Sequence, residues 1–255
     1  MSRCRLHVLA PYHDDLRAAG LTDTTALRAF ADQGTVVSEA SSLVLRHHTL
    51  ANYGTYAKLY FYGPLDPHYF VRPSRAWREF RSYEHLGRMG LRCPDVICVA
   101  EQRQFGCVRW ALIVTREIPA AENLLDFFGH TATDTMRRAA VIRRLAEAAA
   151  RMHNRGFFHR TLRFRNTLIP QADSDAWELY FIDCPAGHAW SVSPVHDSLF
   201  DLVCLYKDFH ALCRPEEWSL FLDQYSATRD RDLRACMAGI PDRCRRRFGE
   251  RPAPE

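Results

Sequence analysis

Lysine is almost absent from this sequence. Of the 34 lysine and arginine residues in the 255-residue chain, only Lys58 and Lys207 are lysines. Long apolar runs are absent too, which excludes a membrane-spanning helix. Apolar and charged fractions of 47% and 25% exclude wholesale disorder. Because arginine takes almost every basic position, Lys58 is a candidate for a role that arginine cannot fill.

Cysteine pairs of the CxxC kind are also absent. The nine cysteines are scattered and odd in number, and the twelve histidines do not supply ligands at zinc-binding spacing. We therefore predict reduced, mostly buried thiols, as in a cytoplasmic protein. The N-terminal residues lack an apolar secretory core, so no signal peptide is expected. The mild net charge of +4 argues against a nucleic-acid partner.

The pattern of apolar residues predicts a two-lobed α+β chain. Residues 1–33 are expected to form an N-terminal helical lead-in, residues 34–118 a β-rich lobe with one key helix, and residues 119–255 a helical lobe. Gly and Pro residues and a serine N-cap at Ser74 set the expected boundaries. The expected strands are 36–50, 55–62, 96–100, 108–115, 167–170 and 178–182, and the main expected helices are 74–89, 133–154, 197–213, 215–227 and 229–238.

The strongest local signal is a loop followed by a short strand. The segment FFHRTLRFRNTLI begins at Phe157, and the strand LYFID ends at Asp183. The first compares with the kinase catalytic loop H-R-D-x-x-x-x-N, with His159, Arg160 and Asn166 in register, and the second with the strand that ends in a magnesium-binding aspartate. An amide oxygen and a carboxylate from adjacent strand ends are hard ligands that suit Mg²⁺.

Two residues upstream agree with this comparison. Lys58 lies mid-strand in YAKLY, where the third strand of a kinase offers its phosphate-binding lysine. Glu79 lies on the following helix, where the ion-pair partner of that lysine belongs. Lys58, Glu79, Asn166 and Asp183 occur in the order that a kinase requires. Together they favour a protein-kinase-like fold that binds ATP and magnesium.

Further matches give the chain a resemblance to the bacterial lipopolysaccharide core kinases, the Kdo/WaaP and InaA-like family, over nearly its whole length. The resemblance implies a kinase-like fold that transfers the γ-phosphate of ATP to a sugar hydroxyl of the lipopolysaccharide core. It also implies work in the cytoplasm, with peripheral contact at the inner face of the inner membrane. The matching segments are 16–21 (LRAAGL), 75–80 (RAWREF), 115–119 (TREIP) and 152–160 (MHNRGFFHR), with Leu86, Gly90 and Pro94.

The chain departs from the family at its catalytic centre, where Thr161 stands in the place of the catalytic aspartate. A threonine hydroxyl cannot act as a general base near neutral pH, and loss of such a base typically costs about 10²–10⁴-fold in rate. Arg163 stands where many kinases carry a lysine that faces the γ-phosphate, and we expect it to neutralise transferred charge. The phosphate-binding loop, sought in residues 47–54, has one glycine and is expected to be weak.

Other polar residues near this loop receive structural interpretations. His153, at a helix end, is expected to be a structural hydrogen-bonding residue, and Asp173 to lie at a solvated hairpin tip. The interval from Asp183 to Asp201 is too short for a long, phosphorylatable activation loop. The arginine-rich tail 243–247 is either a solvated helix or a contact with anionic lipid or core phosphates.

Three functions remain open. In the first, the chain is a nucleotide-binding pseudokinase of lipopolysaccharide core or envelope biogenesis, which retains the ATP and magnesium residues but has lost the base at Thr161. In the second, it is an active kinase that phosphorylates a core sugar without the aspartate. In the third, it is a scaffold of envelope assembly that binds no nucleotide. Nucleotide binding separates the third from the others, and turnover separates the first two.

Overall fold

The chain forms two compact units. The computed structural model describes residues 2–63, 67–131, 134–170 and 178–249. Unit 1 comprises Met1–Tyr83 and Pro94–Pro119, and unit 2 comprises Glu84–Cys93 and Ala120–Glu255.

Unit 1 is built on a six-stranded antiparallel sheet with the strand order β1-β5-β6-β4-β3-β2. Neighbouring strands in the order β4-β3-β2 are joined by tight turns, whereas β4 and β6 pair across a long connection that contains α3. The elements are β1 (Ser2–Val8), α1 (His13–Ala18), α2 (Thr24–Ala31), β2 (Thr35–Ala40), β3 (Leu43–Leu50), β4 (Tyr53–Phe61), α3 (Arg75–Arg88), β5 (Val96–Gln104) and β6 (Cys107–Arg116).

The strand β1 corrects the predicted lead-in. Residues 1–33 are not helical throughout, because β1 pairs with β5 from Ser2 opposite Gln104 to Val8 opposite Cys98. Most of β1 is exposed at the sheet edge, so its sequence carries no strong apolar alternation. Helices α1 and α2 confirm the helical part of the prediction.

The core of unit 1 fixes the direction of the side chains on β4. Ala57 and Leu59 are fully buried in a cluster with Leu27 of α2 and apolar residues of β5 and β6. Because successive side chains of a strand point to opposite faces, Lys58 and Tyr60 lie on the other face of the sheet. From this face, Lys58 and Tyr60 contact Glu79 of α3.

Unit 2 contains a three-stranded antiparallel sheet, β7-β8-β9, and six helices within the residues described. Helix α5 packs against α7, and α6 packs against α9. The long helix and β8 confirm the sequence predictions, whereas β7 and α4 were not expected. The elements are β7 (Ala121–Asn123), α4 (Leu124–His130), α5 (Thr135–Asn154), β8 (Thr167–Pro170), β9 (Tyr180–Phe181), α6 (Pro194–Leu212), α7 (Pro215–Thr228), α8 (Arg234–Met237) and α9 (Ile240–Phe248).

An aromatic cluster anchors residues 157–169 in the core of unit 2. This stretch, which compares with the kinase catalytic loop, is called the catalytic-loop segment. Phe164 is fully buried, stacked on Phe128 with 4.8 Å between ring centroids and edge-on to Phe209 at 5.0 Å. Phe209 in turn contacts Phe221 of α7 at 5.3 Å. A buried aromatic residue in the middle of a loop holds the polar residues on either side of it in place.

Each of the nine cysteines carries a thiol, and most of these thiols are buried, as predicted. Cys98, Cys107, Cys184, Cys204 and Cys244 are buried. Burial raises the pKa of Cys204 to about 11, so this thiol stays protonated at neutral pH. In the part of the chain that the structure describes, no helix combines the length and the apolar character needed to cross a membrane.

Candidate functional site

In unit 1 the predicted ion pair between Lys58 and Glu79 is present. The Lys58 ammonium lies 3.2 Å from a carboxylate oxygen of Glu79, whose side chain is only 2% exposed. Tyr60 donates a hydrogen bond to one oxygen of this carboxylate at 2.7 Å, and Tyr83 donates to the other at 2.8 Å. The buried charge of Glu79 is therefore balanced by one cation and two hydroxyl donors.

Local periodicity brings these four residues together. Tyr60 is two residues after Lys58 on β4, so both side chains lie on one face of the sheet. Tyr83 is one helical turn after Glu79 on α3, so both face β4. The Ser74 hydroxyl accepts a hydrogen bond from the Trp77 amide at 3.4 Å, which confirms the predicted N-cap. Sequence reasoning missed Tyr60 and Tyr83, although their spacing relative to Lys58 and Glu79 could have indicated them.

In unit 2 the catalytic-loop segment is anchored by Asp201 of α6. Its fully buried carboxylate accepts hydrogen bonds from the backbone amides of His159 at 2.8 Å and Arg160 at 2.7 Å. His153 lies 3.3 Å from the same carboxylate and 2.8 Å from the Tyr225 hydroxyl, which confirms its structural interpretation. Arg160 has a left-handed backbone, with φ of 68°. That conformation costs free energy in a non-glycine residue, and the carboxylate stabilises it.

The Thr161 side chain joins two parts of the site. Its hydroxyl donates to the backbone carbonyl of Asp183 at 2.6 Å and lies 3.2 Å from Nδ1 of His159. The hydroxyl has one proton, which the carbonyl of Asp183 receives, so Nδ1 of His159 is the donor in the second contact. Position 161 thus carries a neutral hydroxyl group whose proton is donated to the backbone.

Asn166 and Asp183 are brought to adjacent positions by hydrogen bonds between their segments. The Ile182 amide donates to the backbone carbonyl of Asn166 at 2.9 Å, and Nδ2 of Asn166 donates to the carbonyl of Thr161 at 2.8 Å. Asp183 has a left-handed backbone with φ of 56°. Because Nδ2 is used internally, the amide oxygen of Asn166 remains as the acceptor of that side chain. Amide and carboxylate oxygens are ligands that suit Mg²⁺, so the residue types at these adjacent positions fit that ion.

The geometry of Arg163 does not support its predicted role at a phosphate. Its guanidinium makes two hydrogen bonds to the Asp208 carboxylate, at 2.7 and 2.5 Å, and these bonds raise the Arg163 pKa above its ordinary value. Asp208 also accepts from the Phe164 amide at 2.8 Å. A bidentate pair of this kind holds both groups firmly. Arg163 therefore positions the loop that carries Asn166.

The segment after Asp183 is tied to the loop through Asp197. This carboxylate accepts hydrogen bonds from Arg160 and, at 2.5 Å, from the Ser191 hydroxyl, and it lies 3.2 Å from Nε2 of His188. Burial alone would raise the pKa of Asp197, but these hydrogen bonds and the charge of Arg160 outweigh it and hold the pKa below its ordinary value. The segment is thus fixed to the catalytic loop by one carboxylate.

The expected position of the phosphate-binding loop is occupied by a β-hairpin. Residues 47–54 form the end of β3, a turn at Ala51 and Asn52, and the start of β4, with Leu50 opposite Tyr53. The hairpin contains one glycine, Gly54, so the expected weakness of a phosphate-binding loop there stays a prediction. Asp173 lies outside the described residues.

Comparison with known proteins places this arrangement in a family. The model of the lipopolysaccharide kinase (Kdo/WaaP) family matches residues 68–225, more than half of the chain. The chain belongs to that family. A solved structure of WaaP in complex with acyl carrier protein is similar over 95% of this chain and 97% of that one, with a TM-score of 0.73 and 20% sequence identity. This likeness confirms the predicted kinase-like α+β fold. No curated protein sequence matches the chain.

The match to the Kdo/WaaP family covers most of the candidate site. Glu79, Thr161, Asn166 and Asp183 lie within it, and Lys58 lies ten residues before its start. The chain is therefore a lipopolysaccharide-kinase-like protein with threonine at position 161.

Proposed function

We propose that this Kdo/WaaP family member binds ATP with Mg²⁺ and is a pseudokinase, or a strongly weakened kinase, in lipopolysaccharide core or envelope biogenesis. The observation that carries the proposal is the contrast between two positions. The Lys58–Glu79 pair is intact at 3.2 Å, whereas the Thr161 hydroxyl is bound to the Asp183 carbonyl at 2.6 Å. The residues for binding are retained, and the residue for proton transfer is lost.

Each retained residue has a role in this proposal. Lys58, oriented by Glu79, would bind the α- and β-phosphates of ATP. Asn166 and Asp183 would hold the metal through their side-chain oxygens. Magnesium, when bound, neutralises charge on the phosphates. The hydrogen bonds from Tyr60 and Tyr83 hold the Glu79 carboxylate in place, so that Lys58 remains in one position.

The absence of a base weakens transfer without excluding it. Phosphoryl transfer passes through a loose transition state, in which positioning and charge carry much of the catalysis. The loop that faces the acceptor in a kinase is still anchored here by Asp201, which favours an active kinase of low rate as the second candidate. The proposed acceptor is a sugar of the lipopolysaccharide core, reached in the cytoplasm from the inner face of the inner membrane. This assignment is supported by the family membership.

Thermal unfolding with and without Mg²⁺-ATP tests nucleotide binding. Ligand at about 100 times its Kd adds about 2.7 kcal/mol to the free energy of unfolding. We expect this gain in the wild type and its loss in Lys58→Met, with the apo variant still folded. Lys207→Met, which removes the other lysine of the chain, is the matched control and should keep the gain. A wild type that shows no gain would favour a scaffold that binds no nucleotide.

A further inference from the structure

Unit 2 carries exposed apolar side chains just before α6 and exposed arginines on α9, the helix that packs against α6. Trp190 is 75% exposed and Val192 85% exposed, in the segment that leads to α6. Arg243, Arg246 and Arg247 are exposed on α9. We call these five residues the basic-aromatic surface. Two exposed apolar side chains close in sequence, together with a group of exposed arginines, make a candidate contact surface.

The two parts of the basic-aromatic surface are joined by a chain of contacts within unit 2. The Arg247 guanidinium lies 4.2 Å above the ring of Phe200, and the Arg160 guanidinium lies 3.9 Å from the same ring. Arg160 pairs with Asp197, and Asp197 accepts a hydrogen bond from Ser191 at 2.5 Å. Ser191 is the residue between Trp190 and Val192, so the segment that carries the apolar side chains is linked to α9 through Asp197, Arg160 and Phe200.

The charge of this surface is not balanced locally. Arg245 is paired with Asp242, whereas no acidic side chain among the described residues lies within ion-pair distance of Arg243, Arg246 or Arg247. The nearby carboxylates are used inside the unit, Asp197 by Arg160 and Asp208 by Arg163. Among the described residues, these three guanidinium groups therefore have no carboxylate partner.

We propose that the basic-aromatic surface docks on an anionic lipid bilayer. Exposed arginines gain free energy beside lipid phosphates, and tryptophan favours the interface between headgroups and acyl chains. The arginines match the lipid headgroups, and the exposed apolar pair matches the boundary with the acyl chains. An acidic protein would be complementary to the arginines alone. The inference deepens the peripheral membrane contact of the proposed function and gives it named residues. It does not depend on nucleotide binding.

Vesicle cosedimentation without nucleotide, at about 0.1 M salt, tests this surface. The full chain is mixed with vesicles of phosphatidylglycerol and phosphatidylethanolamine, or of phosphatidylcholine alone. We expect binding to the anionic vesicles only. Because each basic residue near such a surface contributes about fivefold to partitioning, the double variant Arg243→Gln with Arg246→Gln should bind about 25-fold more weakly. The control Arg143→Gln with Arg155→Gln removes the same charge from exposed positions elsewhere and should bind as the wild type does.

Tryptophan fluorescence tests the apolar part. Lipids with brominated acyl chains should quench the wild type when it binds, and Trp190→Phe should lose most of that quenching. Met136→Ser, at a position 85% exposed on α5, is the control for loss of an exposed apolar side chain. The proposal is overturned if the wild type does not bind anionic vesicles. That result is expected if the surface binds an acidic protein instead. It is also overturned if the double arginine variant binds like its control. A normal ATP-dependent gain in stability in the same variants would show that nucleotide binding does not depend on the basic-aromatic surface.

Discussion

The hydroxyl of Thr161 lies 2.6 Å from the backbone carbonyl oxygen of Asp183 and donates its proton to it. A carboxylate at position 161 could not make this contact, since it has no proton to donate at neutral pH. The threonine therefore fits its surroundings as a structural residue.

The Glu79 carboxylate gives a test of the Lys58 site. Glu79→Gln keeps the shape of the side chain but removes the charge that orients the Lys58 ammonium at 3.2 Å. We expect ATP affinity to fall about tenfold, since a partly buried ion pair of this kind contributes at least about 1.4 kcal/mol to positioning. Isothermal titration measures the affinity.

Tyr83→Phe provides the control for that experiment. It removes one hydrogen bond to Glu79 and should cost about 1 kcal/mol in the free energy of unfolding, with little change in ATP affinity. An equal loss of affinity in both variants would assign the effect of Glu79→Gln to destabilisation of α3.

The metal ligands can be tested by removing either the carboxylate or the metal. Asp183→Asn replaces a charged oxygen ligand with a neutral one, so Mg²⁺-dependent ATP affinity should fall by about tenfold or more. Asp223→Asn, at an exposed position on α7, should leave the affinity unchanged. ATP that binds equally well in excess EDTA would show that Asn166 and Asp183 are not working ligands.

The depressed pKa of Asp197 predicts a pH dependence of stability. Such a carboxylate stabilises the fold fully at pH values above its ordinary pKa of 3.8, and the contribution is lost as pH falls through the lower folded value. Asp197→Asn should therefore lower the free energy of unfolding at about pH 7, and its difference from the wild type should shrink below about pH 4. Urea unfolding over this range measures the difference, and a gap that stays constant to about pH 3 would contradict the assignment.

Much of the candidate site could be predicted because its residues lie in short, continuous patterns. His159, Arg160 and Asn166 lie in one loop, and the Lys58–Glu79 contact follows from a strand and a helix of clear periodicity. Asp208, by contrast, lies 45 residues from Arg163, and nothing local indicates that it binds that guanidinium. A charge-based role for Arg163 was therefore the natural expectation from sequence.

The fold was predictable to a similar degree. Strands with buried faces, such as β4 and β6, carry an apolar alternation that can be recognised in sequence. Strand β1 is mostly exposed and β7 has three residues, so neither carries such a pattern. Their positions depend on pairing with distant segments, which a local pattern does not contain.

Phosphate transfer from ATP to a lipopolysaccharide-core acceptor, measured for the wild type and for Thr161→Asp, tests the account most directly. The variant restores the group that accepts the hydroxyl proton, and we expect at least about a 10²-fold gain over a very slow wild type. Thr161→Asn has the same shape without the charge and should show no gain. A wild type that already turns over at about 1 s⁻¹ or faster would contradict the loss of the base at Thr161.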